Sequence, residues 1–552
     1  MKEQLEKIIK KAIKSLGWSD VVVLIDPPKD RTHRDYSTNV SFELAKILKK
    51  SPNEVANLLK SQIEKNEIFK KVEVVGGFIN FFINNKIFIN NLKKVLKEKE
   101  DFGKNKNLKN QKVVVEHTNV NPFKKFHIGH LNNNAIGESL SRIFDFHGAK
   151  VKSVTYQGDV GIHVARAIWA KLKNPNLPWQ EAYAYGTRLE EESEGARGEI
   201  IEINKKIYER SDREINKLYD DGKTESLDRF KKIYEKIDTK FDHLFFESEV
   251  ADAGKKIVED GLKKDIFEKG ENGAIIFKGE KYGLHTRVFI NSERLPTYEA
   301  KELGLAKIKY DKYKYDKSVV VTGNEINEYF KVLLCVMKQI FPELEKKTHH
   351  IGHGMLRLPE GKMSSRTGNV ITAEELIEKS KNLIMEKFKE KELDENIREQ
   401  VAIGSIKYSV LKQSIGSDII YDFDKSISFE GDSGPYLQYS YARAKSVLEK
   451  AKKERIKSNP NMRIYPNNPN SLERMMIHFP EIVHEAGNKY EPHIIATYLI
   501  ELAREFNNYY AKNKIVDKED EFSSYKIAMT EAFSIVMKNG LWLLGIPVLE
   551  RM

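Results

Sequence analysis

"NVNPFKKFHIGHLNNNAIGESLSRI", residues 119–143, places His127, Gly129 and His130 where a loop turns into a helix. Upstream, "VVVEHTN" (113–119) is a short β-branched run suited to a buried parallel strand. Downstream, Leu131, Ala135, Ile136, Leu140, Ile143 and Phe144 keep helical spacing until Gly148, and "KVKSVTY" (150–156) reads as a second strand. Strand, loop, helix, strand is a βαβ unit. Its loop leaves the carboxyl end of a strand and enters a helix N-terminus, where open α/β sheets bind ligands and free N–H groups attract phosphate. Histidines there can donate hydrogen bonds to phosphate oxygens, and Gly129 lets a flat base approach the backbone. Two histidines alone fit a capped helix with surface rings equally well, so the rest of the chain must decide.

The chain has 552 residues, enough for three or four domains of the usual size of about 100 to 200 residues. Its balance of 40% apolar and 32% charged residues is that of a globular protein. The opening "MKEQLEKIIKKAIKSLGW" carries acidic residues within an amphipathic pattern, unlike a signal peptide. No stretch approaches the roughly 20 apolar residues needed to span a bilayer, so a cytoplasmic location and no membrane partner are expected. Cys335 is the single cysteine, which excludes an intramolecular disulfide and a cysteine-cluster zinc site. The net charge of +11 permits a polyanionic partner without requiring one.

Three regions follow from composition. Residues 1–95 combine a helix, the turn-rich "DPPKDRTHRDYSTNV", a helix at "SFELAKILKK" and an alternating strand "VEVVGGFINFFI", a small α+β unit. The Lys/Asn-rich "KEKEDFGKNKNLKNQK" reads as a boundary. Residues 110–420 form a Rossmann-type parallel-sheet α/β domain with a charged helical insertion over about 165–280. Residues 421–552 read as all-α, interrupted by the Asn/Pro-rich "KSNPNMRIYPNNPNS".

A second motif completes the constellation. "IGHGMLRLPEGKMSSRTGNVITAEELIEK" (351–379) joins His353, Gly354 and Met355 to a loop carrying Lys362, Met363, Ser364, Ser365 and Arg366, then opens a helix with a capping box from Thr372 to Glu375. A cationic, donor-rich loop suits a developing polyphosphate charge. Paired with the upstream His-Ile-Gly-His, it is poorly explained as a surface turn.

These two motifs resemble the HIGH and KMSKS signatures of class I aminoacyl-tRNA synthetases, and the fuller text resembles the arginyl-tRNA synthetases. "EHTNVNPFKKFHIGH", "GDVGIHVA", "RLPTYEAKELGLA", "GPYLQYSYARAKSVL", "RDYSTNVSFELAK" and "GGFINFF" carry the likeness from about residue 30 onward. It implies ATP-dependent formation of arginyl-adenylate and transfer of the arginyl group to the 2'-hydroxyl of the terminal adenosine of tRNA(Arg), with Mg2+ and without zinc, by a monomer. His127, His130 and Lys362 would act on the phosphates. Gly129, His353, Gly354, Met355, Met363, Ser364, Ser365 and Arg366 would hold ATP. Glu116, Asn119, Asn121, Asp159, His163, Tyr298 and Glu302 would form the arginine pocket, with Glu302 and Glu116 toward the guanidinium and Asn121 toward the α-amino group. The C-terminal helices would read the anticodon, with Tyr436 and Tyr439 as stacking candidates beside Tyr498, Tyr509 and Tyr510. Phe78 and Asn80 would touch the outer corner of the tRNA.

Three departures stand out. Glu302 replaces the Asp many members have, the signature loop ends in Arg366 rather than Lys, and Glu328 and Lys331 stand where His and Gln are frequent. A lysine there cannot accept a hydrogen bond from an amino group. A cysteinyl enzyme would need cysteine-ligated zinc, which one cysteine cannot build. A catalytically silent relative would have lost its signature motifs, and both are present.

Overall fold

The structure, a computed structural model, describes residues 1–25, 35–193, 195–358, 371–388, 393–461 and 469–552. Its N-terminal part packs helices against an antiparallel sheet of β1 (Tyr36–Thr38), β2 (Phe69–Val75) and β3 (Phe78–Ile83) in the order β1-β3-β2. The expected single strand "VEVVGGFINFFI" is therefore a hairpin. Gly76 and Gly77 both take positive φ, 56° and 87°, the backbone that turns two twisted strands tightly.

β4 (Lys112–Glu116), β5 (Lys150–Gln157), β6 (His243–Phe246), β10 (Lys317–Gly323) and β11 (Thr348–His353) form a parallel sheet in the order β11-β10-β4-β5-β6. Strand order reverses between β4 and β10. Such a reversal opens a crevice at the carboxyl ends of the two strands, and the loop from Glu116 to His127 leaves β4 there. The signature helix, Ile128–Phe146, crosses from β4 to β5 and ends where Gly148, at φ 84°, turns the chain back.

The insertion is less uniformly helical than its charge pattern suggests. Helices Trp179–Glu192, Ala196–Glu209 and Arg213–Lys236 are followed by β6, which joins the main sheet as its edge strand. After helix Glu247–Leu262, β7 (Glu268–Lys269), β8 (Ile275–Phe277) and β9 (Arg287–Ile290) make a small antiparallel sheet. These strands are two to four residues long, too short for alternation to show. β12 (Leu356–Arg357) pairs in parallel with β13 (Ile419–Ile420) beyond the signature loop.

The polar linker is clamped rather than loose. Phe102 is fully buried against Phe479, and the Asn539 amide donates to the carbonyls of Lys99 and Phe102 at 2.9 and 3.1 Å. One continuous hydrophobic core runs from Val113 and Val115 of β4 through Ile136 and Leu140 of the signature helix to Phe533 and Leu541 of the C-terminal helices. Among the described residues no helix is long and apolar enough to cross a membrane.

Candidate active site

The two signature histidines cap their own helix. His127 is the N-cap, its Nδ1 accepts the Gly129 N–H at 3.1 Å, and His130 Nδ1 accepts the His127 N–H at 3.2 Å. The rings stack 3.7 Å apart. Because both Nδ1 atoms accept, each ring carries its proton on Nε2 and keeps a donor for a ligand. Burial, reinforced by the nearby Lys124 ammonium, lowers His127 to about 4, and burial holds His130 well below the usual range. Both rings are neutral donors rather than cations. Gly129 has a structural reason of its own: a Cβ would meet the His127 ring at 3.0 Å.

A cleft of about 390 Å³ opens at the strand-order reversal. Asn119, His127, Gly129, His130, Tyr298, His353 and Met355 line it, joined by Thr118, Asn132, Asn133, Thr322, Gly323 and Glu325, which the sequence reading missed. The triplet "NNN" at 132–134, one residue beyond His130, and the acidic Glu325 after β10 were the available signals. Asn132 donates to the Gly354 carbonyl at 2.9 Å, and Asn132 and Asn133 hold the buried His353 ring between them. Gly354 does not open onto the cleft for an adenine. The space a Cβ would need is filled by the Ser417 backbone, so the glycine is required by packing. The Met355 amide and carbonyl are engaged by Asp418 and Ile419, each at 2.8 Å, which leaves its side chain to face the cleft. Lys362, Met363, Ser364, Ser365 and Arg366 lie outside the described residues. The capping box beyond them is present, with Thr372 and Glu375 exchanging bonds of 2.8 and 3.1 Å.

Deeper in, carboxylates gather. Helix Tyr298–Tyr313 starts at Thr297, so Pro296 lies before it and pairs instead with Ile290. Tyr298 keeps 37% of its surface exposed at the cleft, and its hydroxyl bonds the buried Glu302. Burial, and then the charge of Glu116, raise Glu302 to about 8. Glu116, also buried, accepts from Lys309 Nζ at 2.6 Å. Asn119 reaches toward the other Glu116 oxygen at 3.4 Å and accepts the Tyr156 N–H at 2.9 Å. Asn121 Oδ1 accepts the Gly158 N–H at 2.7 Å, and His163 Nε2 lies 2.9 Å from the Gly158 carbonyl. Burial lowers His163 to about 3.

Asp159, expected among the arginine ligands, is not part of the cleft lining. It is fully buried, and its oxygens accept from Tyr219, Lys223 and both the N–H and hydroxyl of Ser248 at 2.6–2.9 Å. Three of these donors meet Oδ2 and one, the Ser248 N–H, meets Oδ1, so the carboxylate ties the insertion to the loop after β5. Glu328 and Lys331 pair with each other on the surface, 2.6 Å apart, and do not line the cleft. Among the tRNA candidates, Phe78 is 44% exposed whereas Asn80 is buried within the sheet. Tyr436 and Tyr439 are half-buried, bonded to Asn507 and Arg443. Tyr498 is buried and Tyr509 packs against the core, while Tyr510 is exposed with the Arg443 guanidinium 5.0 Å from its ring.

Residues 91–423 match the model of the class I (R) tRNA synthetase catalytic domain, residues 3–83 the arginyl tRNA synthetase N-terminal domain, and residues 437–552 the DALR anticodon binding domain. The chain belongs to the arginyl-tRNA synthetases. The arginine–tRNA ligase of Clostridium perfringens is 31% identical, with 99% of this chain and 100% of that protein covered. That of Borrelia duttonii is 32% identical over 100% and 99%. The solved structure of Thermus thermophilus arginyl-tRNA synthetase has the same fold, with a TM-score of 0.80 at 24% identity over the whole of both chains. As a member of this family the chain is an arginine–tRNA ligase, and its class I catalytic domain implies ATP as co-substrate.

Proposed function

We propose that the cleft between β4 and β10 is where arginine is activated and transferred, with phosphate-binding donors at its mouth and guanidinium-binding carboxylates at its floor. The observation that carries this reading is the shared wall: His127, His130 and Tyr298 line one cavity, and Tyr298 bonds Glu302 behind it. In the first step an oxygen of the arginine carboxylate attacks the α-phosphorus of ATP, and the bond to pyrophosphate breaks. In the second the 2'-hydroxyl of the terminal adenosine attacks the arginyl carbonyl and AMP leaves. No protein nucleophile is required, so positioning and charge stabilisation supply the catalysis.

His127 and His130 offer their Nε2–H donors to the phosphates, and Lys362 brings charge to the leaving pyrophosphate. His353 and Met355 border the nucleoside, and Met363, Ser364, Ser365 and Arg366 belong to the same ATP site. Glu302 and Glu116 take the guanidinium fork, and Asn119 and Asn121 set the loop facing the α-amino end. Magnesium arrives with the ATP phosphates, and no zinc is needed. The N-terminal part (1–95), through Phe78, and the C-terminal helices (421–552), through Tyr436 and Tyr439, hold tRNA(Arg) around the catalytic part (110–420). The protein works as a cytoplasmic monomer.

The test is an aminoacylation screen of twenty amino acids with total tRNA. Arginine alone should be charged, extensive zinc chelation should leave activity intact once magnesium is restored, and pyrophosphate exchange should depend on added tRNA. Charging of another amino acid would refute the reading.

A further inference from the structure

A pocket for a cation should not need a buried cation of its own, yet Lys309 sits among the carboxylates. It is 4% exposed, its Nζ lies 2.6 Å from Glu116 Oε2, and it follows Glu302 by seven residues, two turns along the same helix face. We infer that Lys309 is a positioning residue of the arginine pocket: it anchors Glu116 by one oxygen, so that two adjacent buried carboxylates can face a single guanidinium.

The inference rests on the proposed arginine pocket and deepens it. Two carboxylates buried side by side repel, so one of them holds its proton more tightly and, until the guanidinium displaces it, presents a donor to the substrate's donors. Glu116 raises Glu302, and Lys309 opposes that rise. With arginine seated, two carboxylates balance two cations. Lys309 is faced by Glu116 from β4, by Glu302 on its own helix and by the Tyr315 hydroxyl. Around Glu302 stand Tyr298 on the same helix and Glu247 from the neighbouring one, with Tyr156 from β5 and Tyr329 from helix Asn327–Ile340. Glu247 is paired with Lys301, so the charge of that pair closes on itself and leaves Lys309 as the balancing cation for Glu116 and Glu302. The geometry also explains why Glu116 is a carboxylate at all: Oε2 is committed to Lys309, and only a second oxygen can serve the ligand.

The test is the pH dependence of the arginine KM in tRNA charging for Lys309→Met, Glu116→Gln and the double variant. Lys309→Met should raise the arginine KM about tenfold or more near pH 7.5, leave the ATP KM where it is, and move the pH at which arginine binding is half-maximal upward. Glu116→Gln should move that pH downward. A defect that is only structural would not give opposite shifts. Should Lys309→Met be insoluble, the double variant removes both partners of the ion pair together; it should show a raised arginine KM and a half-maximal pH above that of Glu116→Gln, since Lys309 opposes the rise of Glu302. A wild-type KM and half-maximal pH in Lys309→Met, or in the double variant, would overturn the inference, as would shifts of the two single variants in one direction. Failure of the wild type to charge arginine would instead overturn the proposed function.

Discussion

At the residue scale, the proposed arginine pocket makes Glu302 the side chain on which selectivity should turn. Glu302→Gln keeps the size, removes the charge and turns one acceptor into a donor facing donors. Charge-assisted hydrogen bonds contribute roughly 1.5 to 3 kcal/mol each, so kcat/KM for arginine should fall at least about tenfold, and citrulline use should fall far less. A proportional loss for both substrates, measured by pyrophosphate release with saturating tRNA, would assign selectivity elsewhere. The raised Glu302 value adds a sign. Below about pH 8 the empty pocket holds a proton that the guanidinium must displace, so the arginine KM should fall as pH rises, by at most about tenfold per unit, and level off above 8. For folding the same shift works in reverse: the folded chain binds the proton more tightly than the unfolded one, so this group's contribution to stability declines as pH rises from about 4.5 toward 8. At the other end of the reaction, Lys362→Ala should slow adenylate formation by about 10²- to 10³-fold with little change in tRNA affinity. Near-normal pyrophosphate exchange in that variant would remove Lys362 from the site.

At the scale of elements, Glu302 depends on how closely two helices approach. Gly254 of helix Glu247–Leu262 and Gly304 of helix Tyr298–Tyr313 face the opposite backbone, where a Cβ at Gly304 would run into the Val250 carbonyl and one at Gly254 into the Ala300 carbonyl. Gly304→Ala should therefore destabilise by about 1–3 kcal/mol through overpacking and push Glu302 out of place. The readout is a raised arginine KM with an unmoved ATP KM and a lower thermal midpoint. Elements with a long period were legible in the sequence: the run from Leu131 to Phe144 and the valines of β4 spell out a βαβ unit. The short strands of the insertion were not, because two to four residues carry no period. Residues gathered at the cleft were legible where a motif named them: His127 and Tyr298 line it, and Glu302 is bonded to Tyr298. Lys309, Lys301 and Glu247 were hidden because lysine and glutamate on a helix usually face solvent, and only tertiary packing puts these inside.

At the scale of the whole molecule, the N-terminal part is docked on the C-terminal helices. Asp35 pairs with Arg474 and accepts the Ile83 N–H at 2.7 Å, while the Tyr36 hydroxyl meets His478 Nδ1 at 3.1 Å. Asp35→Asn leaves Arg474 half-buried without its counter-charge, which should loosen the docking and raise the tRNA Kd about tenfold, with arginine and ATP KM unmoved. Direct tRNA-binding measurements decide this, and an unaltered Kd would mean that the docking is passive. The shared core has a consequence for how the molecule comes into being. Ser139 of the signature helix bonds the Leu543 carbonyl, 404 residues away in sequence, and Lys407 bonds the carbonyls of Ile237 and Gly545. Contacts of such separation close late and slowly. During synthesis the signature helix emerges early, but its outer face stays bare until the far end of the chain arrives to cover it. Pulsed hydrogen exchange on the refolding protein should find the amides around Leu140 and Ile143 protected last, so that the proposed nucleotide site is completed only in the final step of folding.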